Sequence, residues 1–239
     1  MNDATHLYIT GNYGIQHSDW HLSDAPNKVK DIITALQLII ENSNKSSLKI
    51  ADIGCGVGGV LNETVKLLNQ NYPHLELTAI GFEIASSAVE VSRQLFPTLD
   101  IRQKAFERCD GCFDLVMFID VLEHLENPWE MLRIARDTSE YIAVRQPLLE
   151  NFSTFRYNNY RNEREHWGHI GYFNYHSFMD MTQATGWKPI KLDLCPCWEL
   201  AGDNKGRASL LHKFLVKTNR IMASYVLSGF YLNGVFQRY

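Results

Sequence analysis

Short apolar runs alternate with helical patterns through the first three-fifths of the chain. Val29, Ile32, Ile33, Leu36, Ile39 and Ile40 recur at helical spacing and predict a helix over 25–42. LKIADIG (48–54) predicts a first strand that stops at glycine, followed by a helix over 60–70. A second strand is expected at 75–83, a helix at 84–96, a short third strand at 99–103 and a buried fourth strand at 113–120. A helix over 128–138 and a fifth strand over 140–147 continue the rhythm. Strands separated by helices of this length point to an α/β fold built on a parallel sheet.

Beyond residue 147 the pattern changes. Residues 148–172 are polar and aromatic, and read as a long loop with a short helix at most. A loop of that length in a compact domain usually carries function. A helix over 175–187, a sixth strand over 188–195, a helix over 208–224 and a last strand over 230–239 complete the expectation. No domain boundary is visible, so residues 1–239 read as one domain. Residues 1–24 are an arm over the site and 148–172 a second cover.

The 239 residues carry a net charge of −4, a balance that does not favour a non-specific nucleic-acid binder with a basic face, although a local basic patch fits within so mild an average. The N-terminus lacks a basic start followed by an apolar run, and no stretch of about 18 apolar residues occurs. Neither a leader nor an integral membrane segment is therefore expected. Five cysteines, an odd number, suggest reduced thiols and a cytoplasmic setting. Cys109 and Cys112 form a CxxC, and Cys195 and Cys197 a CxC, but the pairs lie far apart. They read as ordinary thiols, and no metal site is predicted.

The most informative segment is IADIGCGVGG at 50–59. Glycine lets the chain turn sharply and lets a ligand lie against the main chain. The following helix start offers free N–H groups. Gly54, Gly56 and Gly59 also fit a dinucleotide-binding GxGxxG, where a pyrophosphate rests on the helix start. Asp52 shifts the balance. A carboxylate there repels a pyrophosphate and suits a cationic cofactor such as S-adenosylmethionine (SAM). Glu83 ends the second strand, where a carboxylate can accept from both ribose hydroxyls, each charged hydrogen bond being worth roughly 1.5–3 kcal/mol.

Four segments carry a family resemblance: IADIGCGVGG (50–59), IGFEI (80–84), FDLVMFIDVLEHLENP (113–128) and GHIGYFNYHSFMDMTQATGW (168–187). On them the chain resembles the class I SAM-dependent methyltransferases, within the small-molecule branch that includes ubiquinone-biosynthesis O-methyltransferases. The resemblance covers 48–194. It implies a Rossmann-like sheet of seven strands, mostly parallel with the last antiparallel, and helices on both faces. It implies SAM across the carboxyl ends of strands one, two and four. Gly54, Cys55 and Gly56 would approach the methionine part and Asp52 would hold that region. Glu83 would take the ribose, Ile84 would pack on the adenine, and Asp120 and Val121 would line the sulfonium. The acid that relatives often carry after the third strand is missing, and Gln103 and Phe106 stand in as adenine contacts.

Methyl transfer needs alignment and exclusion of water more than a fixed triad. A hydroxyl acceptor also needs to lose its proton. His124, after the fourth strand, is the candidate base, since an ordinary imidazole titrates near neutrality. Tyr160, Arg164, His166 and His169 are expected on the substrate wall with Tyr157, Arg161 and Trp167, and Trp20 in the lid beside Tyr13, His17 and His21. Lys28 is placed to reach the cofactor carboxylate. The apolar, partly basic C-terminal stretch reads as a core helix and edge strand, and also fits peripheral contact with a membrane surface. The expected partner is a small-molecule methyl acceptor, modified at oxygen. Alternatives are a cofactor-binding module without transfer, and a nicotinamide-dependent oxidoreductase. The second would have an apolar residue at position 52 and a strand first. No NPPY-like run follows the fourth strand, which lowers base methylation.

Overall fold

The computed structural model describes residues 19–20, 22–43, 45–199 and 209–239. Tyr13, His17 and His21 of the expected arm lie outside that set. Helix α1 (Ala25–Ser43) precedes strand β1 (Ser47–Ile53), and α2 (Gly59–Asn71) leads to β2 (Glu76–Glu83). Helix α3 (Ser86–Leu95) then leads to β3 (Asp100–Gln103), followed by β4 (Phe113–Ile119). Helix α4 (Pro128–Thr138) runs directly into β5 (Ser139–Leu148). Next come α5 (Phe152–Tyr157), α6 (Tyr160–Trp167), α7 (Tyr175–Ala184) and β6 (Trp187–Pro196). Helices α8 (Leu210–Thr218) and α9 (Arg220–Val226) lead to β7 (Phe230–Arg238).

The seven strands form one sheet in the order β3-β2-β1-β4-β5-β7-β6. β7 alone runs antiparallel, to β5 on one side and β6 on the other. Burial explains the uninterrupted apolar runs, because helices cover both faces of a parallel sheet. Ile50, Leu115, Met117 and Ala143 face α1 and α2, meeting Ile32, Leu36, Ile39 and Leu61. Their neighbours Ala51, Val116, Phe118 and Ile142 face the other way, toward Leu132 of α4 and Phe178 and Met181 of α7. The edge strand β3 is only four residues long, which limits its exposed ladder.

Three expectations required correction. Residues 148–172 contain two short helices rather than a loop. Asn151 caps α5 by accepting from Thr154 N at 2.9 Å, and Gly168, with φ 75°, terminates α6 in the left-handed region. The predicted 208–224 helix is broken at Asn219, whose extended backbone ends α8 while its side chain caps α9. The 175–187 helix also stops at Ala184, and Trp187 opens β6 instead.

Chain order reverses across the sheet between β1 and β4, since β2 and β3 lie on one side and β5 on the other. At such a switch point the connections diverge and leave a crevice beyond the carboxyl ends of the strands. The far face is held by Trp187, which is fully buried and donates Nε1–H to Leu132 O at 3.1 Å. Trp187→Ala is expected to cost about 3–5 kcal/mol in urea unfolding, because it leaves a cavity and removes a buried hydrogen bond. A loss under about 1 kcal/mol would show that α4 and β6 pack independently of this ring.

Candidate functional site

Beyond the strand ends lies a cleft of about 1220 Å³. Pockets for one small ligand run to roughly 1,000 Å³, so this one has room for a cofactor and an acceptor together. Its floor is the turn after β1. Gly54 and Gly56 both sit at positive φ, 63° and 56°, which disfavours other residues. A Cβ at Gly54 would come within 3.0 Å of Val121, whereas one at Gly56 would meet nothing within 4 Å and point into open cleft. Glu83 braces this turn: one carboxylate oxygen accepts from Gly56 N at 2.9 Å and the other from Ala85 N at 2.8 Å. Burial raises its pKa against the pull of those N–H groups.

Asp52, at the tip of β1, is buried, and its Oδ2 has no hydrogen-bond partner among the described residues. Burial, reinforced by the charge of Glu83, pushes its carboxyl up to about 8 despite Lys28. The same burial and the same two acids push the Cys55 thiol upward. Asp120 behaves oppositely. Burial disfavours its charge too, but Arg145 and Lys28 outweigh that and hold it at about 2. Lys28 Nζ lies 2.9 Å from Asp120 Oδ2, and Arg145 pairs with the same oxygen. Lys28 is thus an ion-pair partner of Asp120 at the cleft wall.

Two further regions complete the walls. Ile84 and Val121 line the cleft as expected, and Trp20 borders it, packed near Val57, Ala85 and Ala88. Opposite stand Arg145 and Pro147 from β5 and Tyr231 from β7, with the Arg145 guanidinium 3.8 Å from the Tyr231 ring centre. Gln103 and Phe106 are not among the lining residues. Phe106 is buried edge-on against Phe82 and Phe113, which removes it as a stacking surface. Tyr160, Arg164 and His166 also miss the cleft. Helix α6 turns Glu163 and Trp167 inward with Asn159 before it, at four-residue spacing, and the Tyr160 ring packs on Tyr172 instead.

His169 does reach the site, and it meets His124. Gly168 ends α6, and Ile170 N and Gly171 N both donate to Glu123 O, at 2.9 and 2.8 Å. A Cβ at Gly171 would lie 3.3 Å from Glu123 Cα, so glycine permits this close approach. His124 Nδ1 is 3.1 Å from Gly168 O, and His169 Nδ1 is 2.8 Å from Glu163 Oε2. A carbonyl or carboxylate oxygen can only accept, so each Nδ1 carries the proton, and in the neutral form of either ring Nε2 is the atom that presents a lone pair. Those Nε2 atoms lie 3.9 and 4.0 Å from Glu123 Oε1. Glu123 is fully buried and neither carboxyl oxygen has a hydrogen-bond partner among the described residues. Burial and the neighbouring His169 lower the His124 pKa to about 3, which leaves a neutral imidazole and a poor lone base. Burial and Asp120 push the Glu123 carboxyl well above its ordinary range.

These three donors, all within 4.8 Å of one another, form a group able to hold a metal ion. Sequence reading gave no metal ligands, because Glu123 and His169 are 46 positions apart and the intervening segment passed for a loop. Arg145 was missed as well, although a charge inside the apolar run YIAVRQP was a visible signal. All five cysteines are free thiols.

A family model described as "Methyltransferase domain" matches residues 22–192. The chain is 30% identical over 91 residues to the mitochondrial ubiquinone biosynthesis O-methyltransferase of Saccharomyces cerevisiae, covering 37% of this chain and 29% of that protein. It is 26% identical over 114 residues to the ubiquinone biosynthesis O-methyltransferase of Colwellia psychrerythraea, covering 45% and 46%. The chain therefore matches less than half the length of these relatives. Among solved structures, a SAM-dependent methyltransferase from Archaeoglobus fulgidus superposes with a TM-score of 0.52 at 15% identity, covering 87% of this chain and 93% of that one. The plantazolicin methyltransferase in complex with SAH gives 0.56 at 14% identity, covering 97% and 89%. The family match takes in the glycine turn, both acidic strand tips and strands β1 through β5: the chain belongs to the methyltransferase-domain family and has a Rossmann-like fold.

Proposed function

We propose that the protein moves the methyl group of SAM to a hydroxyl oxygen of a small molecule, with a divalent cation held by Glu123, His124 and His169. The observation that carries this reading is the convergence of two Nε2 lone pairs on a buried, unpartnered carboxylate beside the end of β4. Two imidazoles and one carboxylate suit a borderline divalent ion such as Zn²⁺, Mn²⁺ or Fe²⁺. Glu163 and Gly168 O act as the outer partners that orient metal-binding imidazoles. A bound cation supplies Lewis-acid chemistry, lowering the pKa of an acceptor hydroxyl. An acceptor hydroxyl that gave its proton to solvent there could take the methyl group as the carbon–sulfur bond breaks, the electron pair of that bond staying on sulfur. Oxygen as the target is also supported by the relatives named as O-methyltransferases.

In this reading Gly54, Cys55 and Gly56 border the methionine end of SAM, and Asp52 answers its positive charge. Glu83 keeps a lone pair on each oxygen for the ribose hydroxyls. Ile84 covers the adenine, and Asp120 and Val121 border the sulfonium. Arg145, Tyr231, Glu163 and Trp167 flank the acceptor.

A carboxyl held at about 8 is mostly protonated at pH 7 and ionises when a cation arrives. SAM binding is therefore expected to release a proton near pH 7 and to tighten as pH rises from 6 to 8, by up to about tenfold per pH unit. Calorimetry in buffers of different ionisation enthalpy reads both effects. Asp52→Asn is expected to bind more weakly at pH 8 and to lose this component. Wild-type affinity that follows the same pH course as Asp52→Asn would remove Asp52 from the cofactor site.

For the metal, purified protein is expected to bind Mn²⁺ or Zn²⁺ at one site per chain, read by calorimetry. Glu163→Gln should lower that affinity by about 10–100-fold, and His169→Ala should abolish it. Chelation should stop transfer to a catechol acceptor while leaving SAM affinity unchanged. Transfer undiminished by chelator would refute the metal role. SAM binding with no transfer to any acceptor, metal present, would favour a binding module over an enzyme.

A further inference from the structure

Over half of the exposed large apolar side chains among the described residues sit on three short helices, α5, α8 and α9. Leu210 is 86% exposed, Leu211 64%, Phe214 65%, Met222 60%, Phe152 57% and Phe155 71%. Leu210, Leu211 and Phe214 share one side of α8 by their spacing. The opposite side is fastened down, with Val216 buried and His212 stacked on Trp198. Helix α9 packs against α5 and is tied by Arg220, which reaches Leu194 O and Glu199, each at 2.8 Å. The outward apolar side chains are thus held on an anchored support.

Charge identifies the occupant. The three helices contain no Asp or Glu, although the chain as a whole carries a net −4. Lys213 and Lys217 flank the α8 apolar stripe without an ion pair among the described residues, and Arg156 lies on α5. A two-fold contact between copies of the chain would set these cations against themselves, since such an interface pairs one patch with itself. Apolar side chains bordered by lysines match the boundary of an anionic bilayer, where acyl chains take the first and headgroups the second. The position matters as well. Asn151 and Thr154 at α5, and Ser228 and Gly229 just after α9, line the cleft.

We infer that α5, α8 and α9 form a docking surface for an anionic lipid bilayer, placing the cleft mouth where a lipid-soluble acceptor enters from the membrane. The acceptor class rests on the methyl-transfer reading above; the surface does not. No helix among the described residues is long and apolar enough to cross a membrane, so the contact is peripheral.

The test is co-sedimentation of the full chain with phosphatidylcholine vesicles, with and without phosphatidylglycerol. The protein is expected to pellet with the anionic vesicles and to be released by high salt. Lys213→Gln with Lys217→Gln should weaken partitioning by about thirtyfold. Leu211→Ser with Phe214→Ser should abolish it, and both double variants should keep wild-type SAM affinity and secondary structure. Transfer to a water-soluble catechol should be unchanged, while transfer to a long-chain acceptor in vesicles should fall with the partitioning. Wild-type protein remaining in the supernatant with anionic vesicles would overturn the inference. So would a dimer that dissociates on Leu211→Ser with Phe214→Ser in sedimentation equilibrium, which would assign the face to a second copy. Vesicle binding together with absent SAM binding would instead sink the methyl-transfer reading and leave the surface standing.

Discussion

A carboxylate buried at the tip of β1 without a hydrogen-bond partner for one oxygen sets the terms for the whole cleft. Isolated charge in a low-dielectric site is costly, and a protein ordinarily avoids it by pairing or by protonation. Asp52 takes the second course, and the nearby acid Glu83 reinforces it. Two carboxyls side by side, with the local cation Lys28 engaged by Asp120, make the site that the proposed function assigns to a positively charged ligand. The glycine turn belongs to the same arrangement. Glu83 fixes Gly56 through its backbone N–H, so the acid that would meet the ribose also shapes the floor beneath it.

The second acidic cluster follows a different logic. Asp120 is neutralised by two cations and lies low in pKa, whereas the carboxyl oxygens of Glu123, three residues on, have no hydrogen-bond partner among the described residues. The two imidazoles near Glu123 are held with their lone pairs inward by Gly168 and Glu163. An arrangement that buries a carboxyl against two hydrogen-bond acceptors is unfavourable unless something positive joins it. In the proposed reading the two acidic sites share a principle: each would be completed by a cation, one organic and one inorganic.

Local pattern foretold much of this. Strand β1 through β5 positions and α1 through α4 were legible because both faces of the sheet are covered, which writes each strand as an apolar run and each helix at its own period. Asp52, Gly56 and Glu83 could be singled out because strand-end acids and turn glycines are read from adjacent residues. The 148–172 segment misled because α5 and α6 are short and polar, and their stability comes from the Asn151 cap, the Gly168 terminus and packing rather than from an apolar stripe. Treating it as a loop sent Tyr160, Arg164 and His166 into the cleft. Helical geometry gives those inward positions to Glu163 and Trp167 instead.

The order of residues alone determined the α/β class, the glycine turn and the two strand-tip acids, since each depends on interactions within a few positions. It also showed His124 and His169 as separate candidates. Only the folded chain decided that they meet over Glu123, that Phe106 belongs to the core, and that Arg145 and Lys28 share Asp120. Those outcomes depend on contacts between segments distant in sequence, and on which face of each helix turns inward. Such contacts are fixed by how helices and strands pack, which leaves no mark in the spacing of neighbouring residues.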